Sequence, residues 1–441
     1  MTTSTTPRRF LFVEWEGGGN LPPSLALARQ LVTRGHAVRV LGEPCNQDEI
    51  QAAGCTFRSY THAPHRATKA PEADFLRDWE ARSTREALAR LQDRLMYGPA
   101  LDYATDTLAE LEREPADAVV INYALYGAMA AAEKARVPHA LLVPGLYEVP
   151  CPGAPPFGLA LLPNQSWVGR LRDRLVTRVG TRLFAHGLPA LNAARTQLGL
   201  DRLRHPWQQF DRADRVLVLT SPAFDWPASS RPPNVCYVGP QLDDPTWAQP
   251  WSSPWPADHP DPLLVVSFST TFQNQVALLQ RVIDAMAGLP VRVLVTLGPT
   301  LAPERFHAPP NVLLTPSAPH AQVFPQASAV VTHAGHGTVI RALAAGVPLI
   351  CLPMGRDQPE NTVRVVARGA GIRLSSTATV PQVRQAVQRV LADVRFREAA
   401  QRFARRIAEE AQQSRAVDLL EELAAPTPPD TVEPGVKTIT A

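Results

Sequence analysis

The sequence has little that would mark a secreted, membrane-spanning or metal-binding protein. It contains five cysteines, without a C-x-x-C pair or a histidine at metal-ligand spacing nearby, so we expect reduced thiols in a cytoplasmic protein and no metal site. No run approaches the roughly 20 consecutive apolar residues that span a bilayer. Residues 1–9 lack the apolar core of a signal peptide, and we therefore expect neither secretion nor a transmembrane segment.

Concentrated positive charge is absent as well. The 44 basic and 41 acidic residues give a formal net charge of +3 and are scattered along the chain, so nucleic-acid binding is not implied. Hydrophobic residues make up 45% of the chain and charged residues 19%, as in ordinary globular proteins. Since 441 residues exceed what one core organises, we expect two or three domains.

What is present is an alternation of strand and helix patterns. An apolar run at residues 9–15 ends at a glycine turn, an amphipathic stretch follows at 22–33, and 36–41 forms a second apolar run. This order predicts a right-handed βαβ unit and a parallel sheet. Further strands of this half are predicted at residues 118–121, 140–143 and 216–219.

A second half repeats the alternation. Residues 241–262 are crowded with proline and tryptophan, so we expect an interdomain linker there. Strands are predicted at 263–268, 291–297, 312–314, 329–332 and 348–352, and helices over 383–424. The sequence thus predicts an α/β fold of two doubly wound parallel-sheet domains, residues 1–240 and 263–424, with a disordered tail at 425–441. We expect the ligand in a cleft at the carboxyl ends of the strands.

The most informative stretch is residues 329–374. A strand leads into a turn that runs from His333 through Gly335, His336 and Gly337 to Thr338, and a helix is predicted over 339–345. The unpaired N–H groups and the positive dipole at such a helix start suit a diphosphate. Thr338 would add a hydroxyl and His333 an imidazole donor. The alternative is that the two histidines only satisfy a tight turn.

A polar loop follows the next strand, at residues 353–358. Asp357 offers a carboxylate and Gln358 an amide with both donor and acceptor, a pair suited to the vicinal hydroxyls of a sugar. The alternative interpretation is that both residues cap the next helix, which is predicted to begin near Asn361.

The segment at residues 329–374 resembles the nucleotide-sugar signature of UDP-glycosyltransferases, specifically the bacterial macrolide and natural-product group. The resemblance covers, in order, the turn, the helix, the G-V-P start of the next strand at 346–348 and the D-Q-x-x-N loop at 357–361. The resemblance implies the GT-B fold, in which two Rossmann-like domains face a cleft, with the nucleotide sugar in the second domain and the acceptor in the first. The nucleotide-sugar-binding residues that it implies are Ser269, Thr270, Ser317, His320, His333, Gly335, Gly337, Thr338, Asp357, Gln358 and Asn361.

The donor and the acceptor are implied only by class. The loop from Ser317 to His320 departs from the tryptophan-containing base-binding loop of plant members, so UDP and dTDP both stay open. No Asp-X-Asp occurs in the sequence, so we expect no metal and no cofactor beyond the nucleotide sugar, with the helix dipole stabilising the departing diphosphate. The resemblance implies transfer of a hexose to a small, apolar or aromatic natural-product acceptor.

The catalytic positions depart from the family. Asn20 stands where the family has the histidine that deprotonates the acceptor, and Asn122 where an aspartate orients that histidine. An amide is not a general base. Three explanations stay open: Glu14 or Glu16 acts as a displaced base, the acceptor is an acidic phenol or an amine that needs little assistance, or the chain is a catalytically impaired nucleotide-sugar-binding auxiliary protein. A sugar epimerase of the same fold is a further alternative.

The acceptor pocket is expected to come from residues 60–103 and 146–180 of the first half. Aromatic side chains there either line an apolar cavity or anchor the loops to the domain. Residues 170–182 also carry five arginines along one helical face, a pattern typical of a hydrated surface, with docking to an acidic carrier protein as the alternative. The aromatic candidates are Trp79, Tyr97, Tyr147, Phe157 and Trp167.

Overall fold

Strands and helices alternate along most of the chain in a computed structural model that describes residues 6–244, 251–256 and 258–426. The predicted linker lies partly outside the described residues, at 245–250 and 257, and so do residues 427–441 of the predicted tail. The strands are β1 (Arg9–Val13), β2 (Ala37–Gly42), β3 (Thr56–Ser59), β4 (Ala118–Asn122), β5 (His139–Val143), β6 (Arg215–Val218), β7 (Val235–Tyr237), β8 (Leu263–Ser267), β9 (Arg292–Thr296), β10 (Val312–Thr315), β11 (Ala327–Thr332), β12 (Leu349–Cys351) and β13 (Gly371–Arg373).

The helices connect these strands and cover both faces of the sheets. They are α1 (Leu21–Thr33), α2 (Gln47–Ala52), α3 (Thr84–Leu91), α4 (Ala100–Arg113), α5 (Tyr126–Ala135), α6 (Trp167–Phe184), α7 (Leu188–Gln197), α8 (Gln208–Asp211), α9 (Val276–Met286), α10 (His320–Val323), α11 (His336–Ala344), α12 (Gln358–Ala367), α13 (Val380–Ala392), α14 (Val394–Gln412) and α15 (Ala416–Leu423).

Each half contains one parallel sheet with the same strand order. The first sheet runs β3-β2-β1-β4-β5-β6-β7, and the second runs β10-β9-β8-β11-β12-β13. In both sheets the order reverses at one point, between β1 and β4 and between β8 and β11, and such a reversal opens a crevice at the carboxyl ends of the strands. The predicted α/β fold of two doubly wound parallel-sheet domains is confirmed.

The central strands are buried on both faces, which explains their uninterrupted apolar sequences. Leu11 and Val13 of β1 pack into the core on one side of the first sheet, while Phe10 and Phe12 pack into the core on the other side. In the second sheet, Val266 of β8 belongs to one core and its neighbours at 263 and 265 to the opposite one. The centre of each sheet is therefore covered on both faces.

Three strands and two helix starts differ from the prediction. The sequence did not predict β3, β7 or β13, each of which lies at a sheet edge and is only partly buried. Helix α11 begins at His336 and not at residue 339, because Gly335 is still extended and accepts the hydrogen bond from the Val339 amide at 3.1 Å. Helix α12 begins at Gln358, three residues before Asn361.

The last helix returns to the first half. Val417 and Leu420 of α15 belong to the core that also contains Leu27 of α1. The hydroxyl of Ser414, which lies between α14 and α15, donates a hydrogen bond to the Val238 carbonyl at 2.8 Å. The chain therefore crosses between the halves twice, while the exact domain boundaries stay a prediction.

Three structural absences concern only the described ranges. No helix there is both long and apolar enough to cross a membrane. No group of three or more His, Cys, Asp and Glu side chains in those ranges is arranged to hold a metal ion. The five cysteines are free thiols.

Candidate functional site

A cleft of about 1490 Å³ opens between the carboxyl ends of the two sheets. Its walls come from the loops after β1, β4 and β5 of the first half and after β8, β10, β11 and β12 of the second. Ten of the eleven residues predicted to bind the nucleotide sugar line this cleft, and Asn361 lies behind its wall, fully buried. The fold thus brings these residues together, and their contacts with a donor stay a prediction.

The N-terminus of α11 points into this cleft. Ala334 adopts a left-handed backbone conformation with φ 70°, and its amide donates to the Thr332 hydroxyl at 3.1 Å. The early start of the helix places Gly337 and Thr338 inside its first turn, where backbone N–H groups have no partner within the helix. These groups and the positive end of the dipole can bind an anion.

Buried histidines surround this helix start. Burial lowers the pKa of His333 and of His320 to about 3, and that of His336 to about 4, so all three rings are neutral at neutral pH. The Nε2 atom of His336 shares a 2.7 Å hydrogen bond with the Thr220 hydroxyl of the first half. His336 therefore fits the structural alternative, whereas His333 lies beside the Gly335 backbone, where a Cβ would be 2.7 Å from its Nε2.

The loop after β12 holds the predicted sugar-binding pair. Asp357 lines the cleft, and burial raises its pKa. Its Oδ2 accepts a hydrogen bond from the Asn361 amide at 2.7 Å, and that amide also donates to the Ala334 carbonyl at 3.0 Å. Asn361 thus joins this loop to the turn after β11 and holds Asp357 in position.

Gln358 fixes the shape of the same loop. Its Oε1 accepts from the backbone amides of Met354 and Gly355, at 2.7 and 3.1 Å. Its Nε2 donates to Gln273 at 2.8 Å. The Asp357 side chain makes no capping hydrogen bond to α12, so the capping alternative does not describe Asp357.

The loops after β8 and β10 complete the second-domain wall. Ser269 accepts a hydrogen bond from the Gln273 amide at 2.7 Å. Thr270 lies so close to Gly18 of the first half that a Cβ there would be 2.8 Å from its hydroxyl. His320 stacks on Phe324 at 4.2 Å. Ser317 also lines the cleft, so the predicted base-binding and diphosphate-binding loops lie side by side.

The two amides at the expected catalytic positions are not equivalent. Asn20 lines the cleft beside the start of α1 and makes no capping hydrogen bond. Asn122 is fully buried behind the cleft, where its Nδ2 donates to Glu14 at 3.0 Å and its Oδ1 accepts from Trp15 at 3.2 Å. Burial raises the pKa of Glu14 to about 8 despite the hydrogen bond from Asn122.

Glu16 lies at the cleft with its carboxylate already occupied. Its Oε1 accepts from the Gly18 amide at 2.7 Å, and its Oε2 lies 3.5 Å from the Lys69 ammonium. These contacts hold the carboxylate to the glycine turn. Of the two displaced-base candidates, one is therefore buried behind the wall and the other is ion-paired.

A further carboxylate, Glu148, was missed by sequence reasoning. It lies on the loop after β5, lines the cleft and is half-buried. The Tyr123 hydroxyl, from the loop after β4, donates to its Oε1 at 3.0 Å. Burial raises the pKa of Glu148 to about 7; the charges of Asp357 and Glu360 raise it further, and the hydrogen bond from Tyr123 opposes the shift. Both residues follow predicted strands, so the rule that ligands bind at carboxyl ends could have found them.

The acceptor side of the cleft is largely apolar. Of the five aromatic candidates, Trp79 and Phe157 line it, whereas Tyr97 and Tyr147 are core residues. Trp167 is outside the cleft and 71% exposed. The apolar face of α6 forms much of the wall instead, opposite α3, through residues that include Leu88, Leu91, Leu175, Val179 and Leu183.

Known proteins resemble the chain in sequence and in fold. Residues 280–423 match the family model for the erythromycin biosynthesis protein CIII-like C-terminal domain. The 4'-demethylrebeccamycin synthase of Lentzea aerocolonigenes is 30% identical over 426 residues, which cover 94% of this chain and 99% of the synthase. The oleandomycin glycosyltransferase of Streptomyces antibioticus is 26% identical over 430 residues, covering 96% and 92%. The crystal structure of the calicheamicin glycosyltransferase CalG4 matches with a TM-score of 0.72 at 25% identity, covering 96% of this chain and all of that one.

Proposed function

Because the chain belongs to the bacterial natural-product glycosyltransferases of the GT-B fold, we propose that it transfers a hexose from a UDP- or dTDP-sugar to a small apolar or aromatic acceptor without a metal ion. One observation carries this proposal. The α11 N-terminus, the Asp357 loop and the apolar wall of α6 all meet at one cleft. A donor bound at the first two would present its sugar toward the third.

The second-domain wall supplies positive potential for a diphosphate. The free amides at the start of α11 add about half a positive charge at the helix end. Arg341 lines the same wall, as does Arg356, whose charge is paired with Asp78 of the first half. The neutral His333 can donate a hydrogen bond. These groups are fixed before the reaction, so they can stabilise the charge that develops on the leaving diphosphate.

The first-domain wall accounts for the acceptor class. Side chains from α3 and α6 present an apolar surface, which favours burial of an apolar aglycone by about 25 cal/mol per Å². The cleft volume of about 1490 Å³ exceeds the roughly 300–1,000 Å³ typical of a site for one small molecule. It therefore suits a donor and an acceptor bound together.

The proposal is tested by assaying the protein with UDP- and dTDP-hexoses and a panel of phenols, amines and alcohols, with EDTA present throughout. We expect glycosylated product by mass spectrometry. Binding of the nucleotides without turnover of any pair would favour the auxiliary-protein alternative, and release of free sugar and diphosphate without an acceptor would favour the epimerase.

The donor site has its own test. Thr338→Ala should weaken UDP or dTDP binding by about 10-fold or more in calorimetry, because a hydrogen bond to a charged group contributes about 1.5–3 kcal/mol. Thr105→Ala, on the exposed face of α4, is the matched control and should bind like the wild type. Equal affinity of both variants would contradict the placement of the diphosphate at α11.

A further inference from the structure

We infer that Glu148 is the general base that takes the proton from the acceptor nucleophile, and that Tyr123 is its positioning residue. The inference rests on the proposed transfer reaction and deepens it. It concerns a residue outside the loop after β1, where Asn20 leaves the chain without a base.

Glu148 occupies the place that this role requires. It lies in the cleft wall of the first half, after β5, and the charge of Asp357 in the opposite wall is close enough to influence it. An acceptor seated against the apolar face of α6 and a sugar held at Asp357 would therefore meet near this carboxylate. The neighbouring wall residues Leu146, Pro156 and Phe157 are apolar, so the acceptor hydroxyl or amine has few other polar partners there.

Tyr123 orients the carboxylate. It follows β4, which pairs with β5 in parallel register, and its hydroxyl reaches Glu148 Oε1 at 3.0 Å. Burial raises the pKa of Tyr123 well above its ordinary value, so the phenol stays protonated and donates. The second carboxylate oxygen has no hydrogen-bond partner among the described side chains and can accept the acceptor's proton.

The surroundings of Glu148 bring the pKa of its carboxyl group close to neutral pH. From the first half, Tyr123 donates a hydrogen bond to it, and its charge also acts on the buried Tyr97 and Tyr126. The charges of Asp357 and Glu360 act on it from the second half. Among the described residues no Lys, Arg or His contributes to its pKa, which burial raises to about 7. A base with a pKa near the working pH is the most effective one. The Glu16 carboxylate is instead held by the Gly18 amide and lies 3.5 Å from the Lys69 ammonium.

The proposed reaction is a single displacement at the anomeric carbon of the donor sugar. The acceptor oxygen or nitrogen forms a bond to the anomeric carbon while its proton moves to Glu148. The bond from that carbon to the diphosphate oxygen breaks, and its electron pair leaves with the diphosphate, whose charge the start of α11 stabilises. The protonated Glu148 then releases its proton to solvent.

The test compares Glu148→Gln and Glu148→Asp with the wild type on two phenols, one weakly acidic and one already ionised at the assay pH. For the weakly acidic phenol, Glu148→Gln should lower kcat by about 10²–10⁴-fold, and Glu148→Asp should lower it less. For the ionised phenol, which needs no base, the loss should stay within about 10-fold. Affinity for UDP or dTDP, measured by calorimetry, should be unchanged.

The pH profile gives a second readout. Wild-type kcat/KM for the weakly acidic phenol should fall below a pH of about 7, the pKa of Glu148, and this limb should be lost in Glu148→Gln. Tyr123→Phe should move the limb to higher pH, because the hydrogen bond that it removes lowers the pKa of Glu148. Glu112→Gln, exposed on α4, is the control for a surface charge change.

The outcomes separate the inference from the proposed function. If the wild type turns over and Glu148→Gln keeps both its full kcat and the loss of kcat/KM at low pH, Glu148 is not the base. The proposed transfer reaction would still stand. Equal losses on both phenols, or equal losses in the Asp and Gln variants, would also overturn the role of Glu148 as the base, since they indicate a structural role. Failure of the wild type with every donor and acceptor would instead count against the proposed function.

Discussion

Arg356 of the second half forms a bidentate ion pair with Asp78 of the first, with Nε–Oδ2 and Nη2–Oδ1 distances of 2.6 and 2.9 Å. The third guanidinium nitrogen donates to Thr271 at 2.9 Å. Arg356 adopts a left-handed φ of 54°, which costs a non-glycine residue free energy. Next to this pair, Trp79 meets Phe272 edge-on at 5.3 Å. The ion pair between Arg356 and Asp78 therefore joins the first half to the loop after β12, which carries the predicted sugar-binding residues.

We expect Asp78→Asn and Arg356→Gln each to lower kcat/KM by about 10-fold, or about 1.4 kcal/mol, because a looser contact misaligns donor and acceptor. Burial alone would raise the pKa of Asp78, but the hydrogen bonds and charge of Arg356 outweigh it and hold that pKa below its ordinary value. The pair is therefore ionised at neutral pH. The double variant should lose little more than either single variant.

The matched control for this cycle is Asp393→Asn at the residue before α14, whose partner Arg395 lies in the first turn of that helix and is 82% exposed. That variant should match the wild type in kcat/KM, since an exposed pair contributes little. Fully additive losses at positions 78 and 356 would show that the two side chains act separately.

Gly335→Ala should weaken donor binding. The new Cβ would lie 2.7 Å from Nε2 of His333, closer than side chains pack, so either the ring or the start of α11 must shift. Because both belong to the proposed diphosphate site, we expect a loss of about 10-fold in UDP or dTDP affinity by calorimetry. Gly180→Ala, in α6 with no heavy atom within 4 Å of its Cβ, should bind the nucleotides normally, and a similar loss there would point to a general effect of added side chains.

The sequence predicts the central strands but misses three of the four edge strands, for a physical reason. Strands such as β1 and β11 are covered on both faces and favour apolar residues at most positions, so they appear as nearly continuous apolar runs. The edge strands β3, β7 and β13 are partly exposed and three or four residues long. The sequences of β3 and β13 carry no apolar run and that of β7 only a short one, so pairing with a neighbouring strand decides that these segments become strands.

The candidate site shows the same division. The turn and loop of residues 333–358 are local motifs, and their positions in the cleft followed from the sequence. The contact between Tyr123 and Glu148 joins two loops that are 25 residues apart and has no local pattern. Asn361 lies within the D-Q-x-x-N motif, yet only the packing of α12 shows that it faces the Ala334 carbonyl and not the cleft.

Glu14→Gln should stabilise the protein at high pH. Burial raises the pKa of Glu14 from 4.5 to about 8, so between these values the folded protein keeps a proton that the unfolded chain has released. The contribution of Glu14 to the free energy of unfolding therefore falls as the pH rises from 4.5 to about 8. The amide does not titrate, so the variant should exceed the wild type in free energy of unfolding by on the order of 3 kcal/mol at pH 8, with little difference at pH 4.5.

Urea unfolding at the two pH values measures this difference. The control, Glu112→Gln, replaces an exposed carboxylate and should follow the wild type at both. If Glu14→Gln and the wild type lost stability in parallel between pH 4.5 and 8, Glu14 would be ionised in the folded state, and the buried network with Asn122 and Trp15 would have to be charged.

The fully buried Arg195 should be far more important for stability than its neighbour Arg212. Its guanidinium pairs with both oxygens of Glu133, at 2.7 and 3.0 Å, and also donates to the Asp201 carbonyl at 2.7 Å. Arg195→Met leaves Glu133 without its buried partner, so we expect a loss of about 3 kcal/mol in the free energy of unfolding. Arg212 reaches the same carboxylate at 2.6 Å, but its side chain is 36% exposed, so Arg212→Met should cost less than about 1 kcal/mol.

Both variants should bind UDP or dTDP normally once folded, because neither residue lines the cleft. Equal losses in urea unfolding would mean that Glu133 gains as much from the exposed arginine as from the buried one, which would contradict the dependence of ion-pair strength on burial.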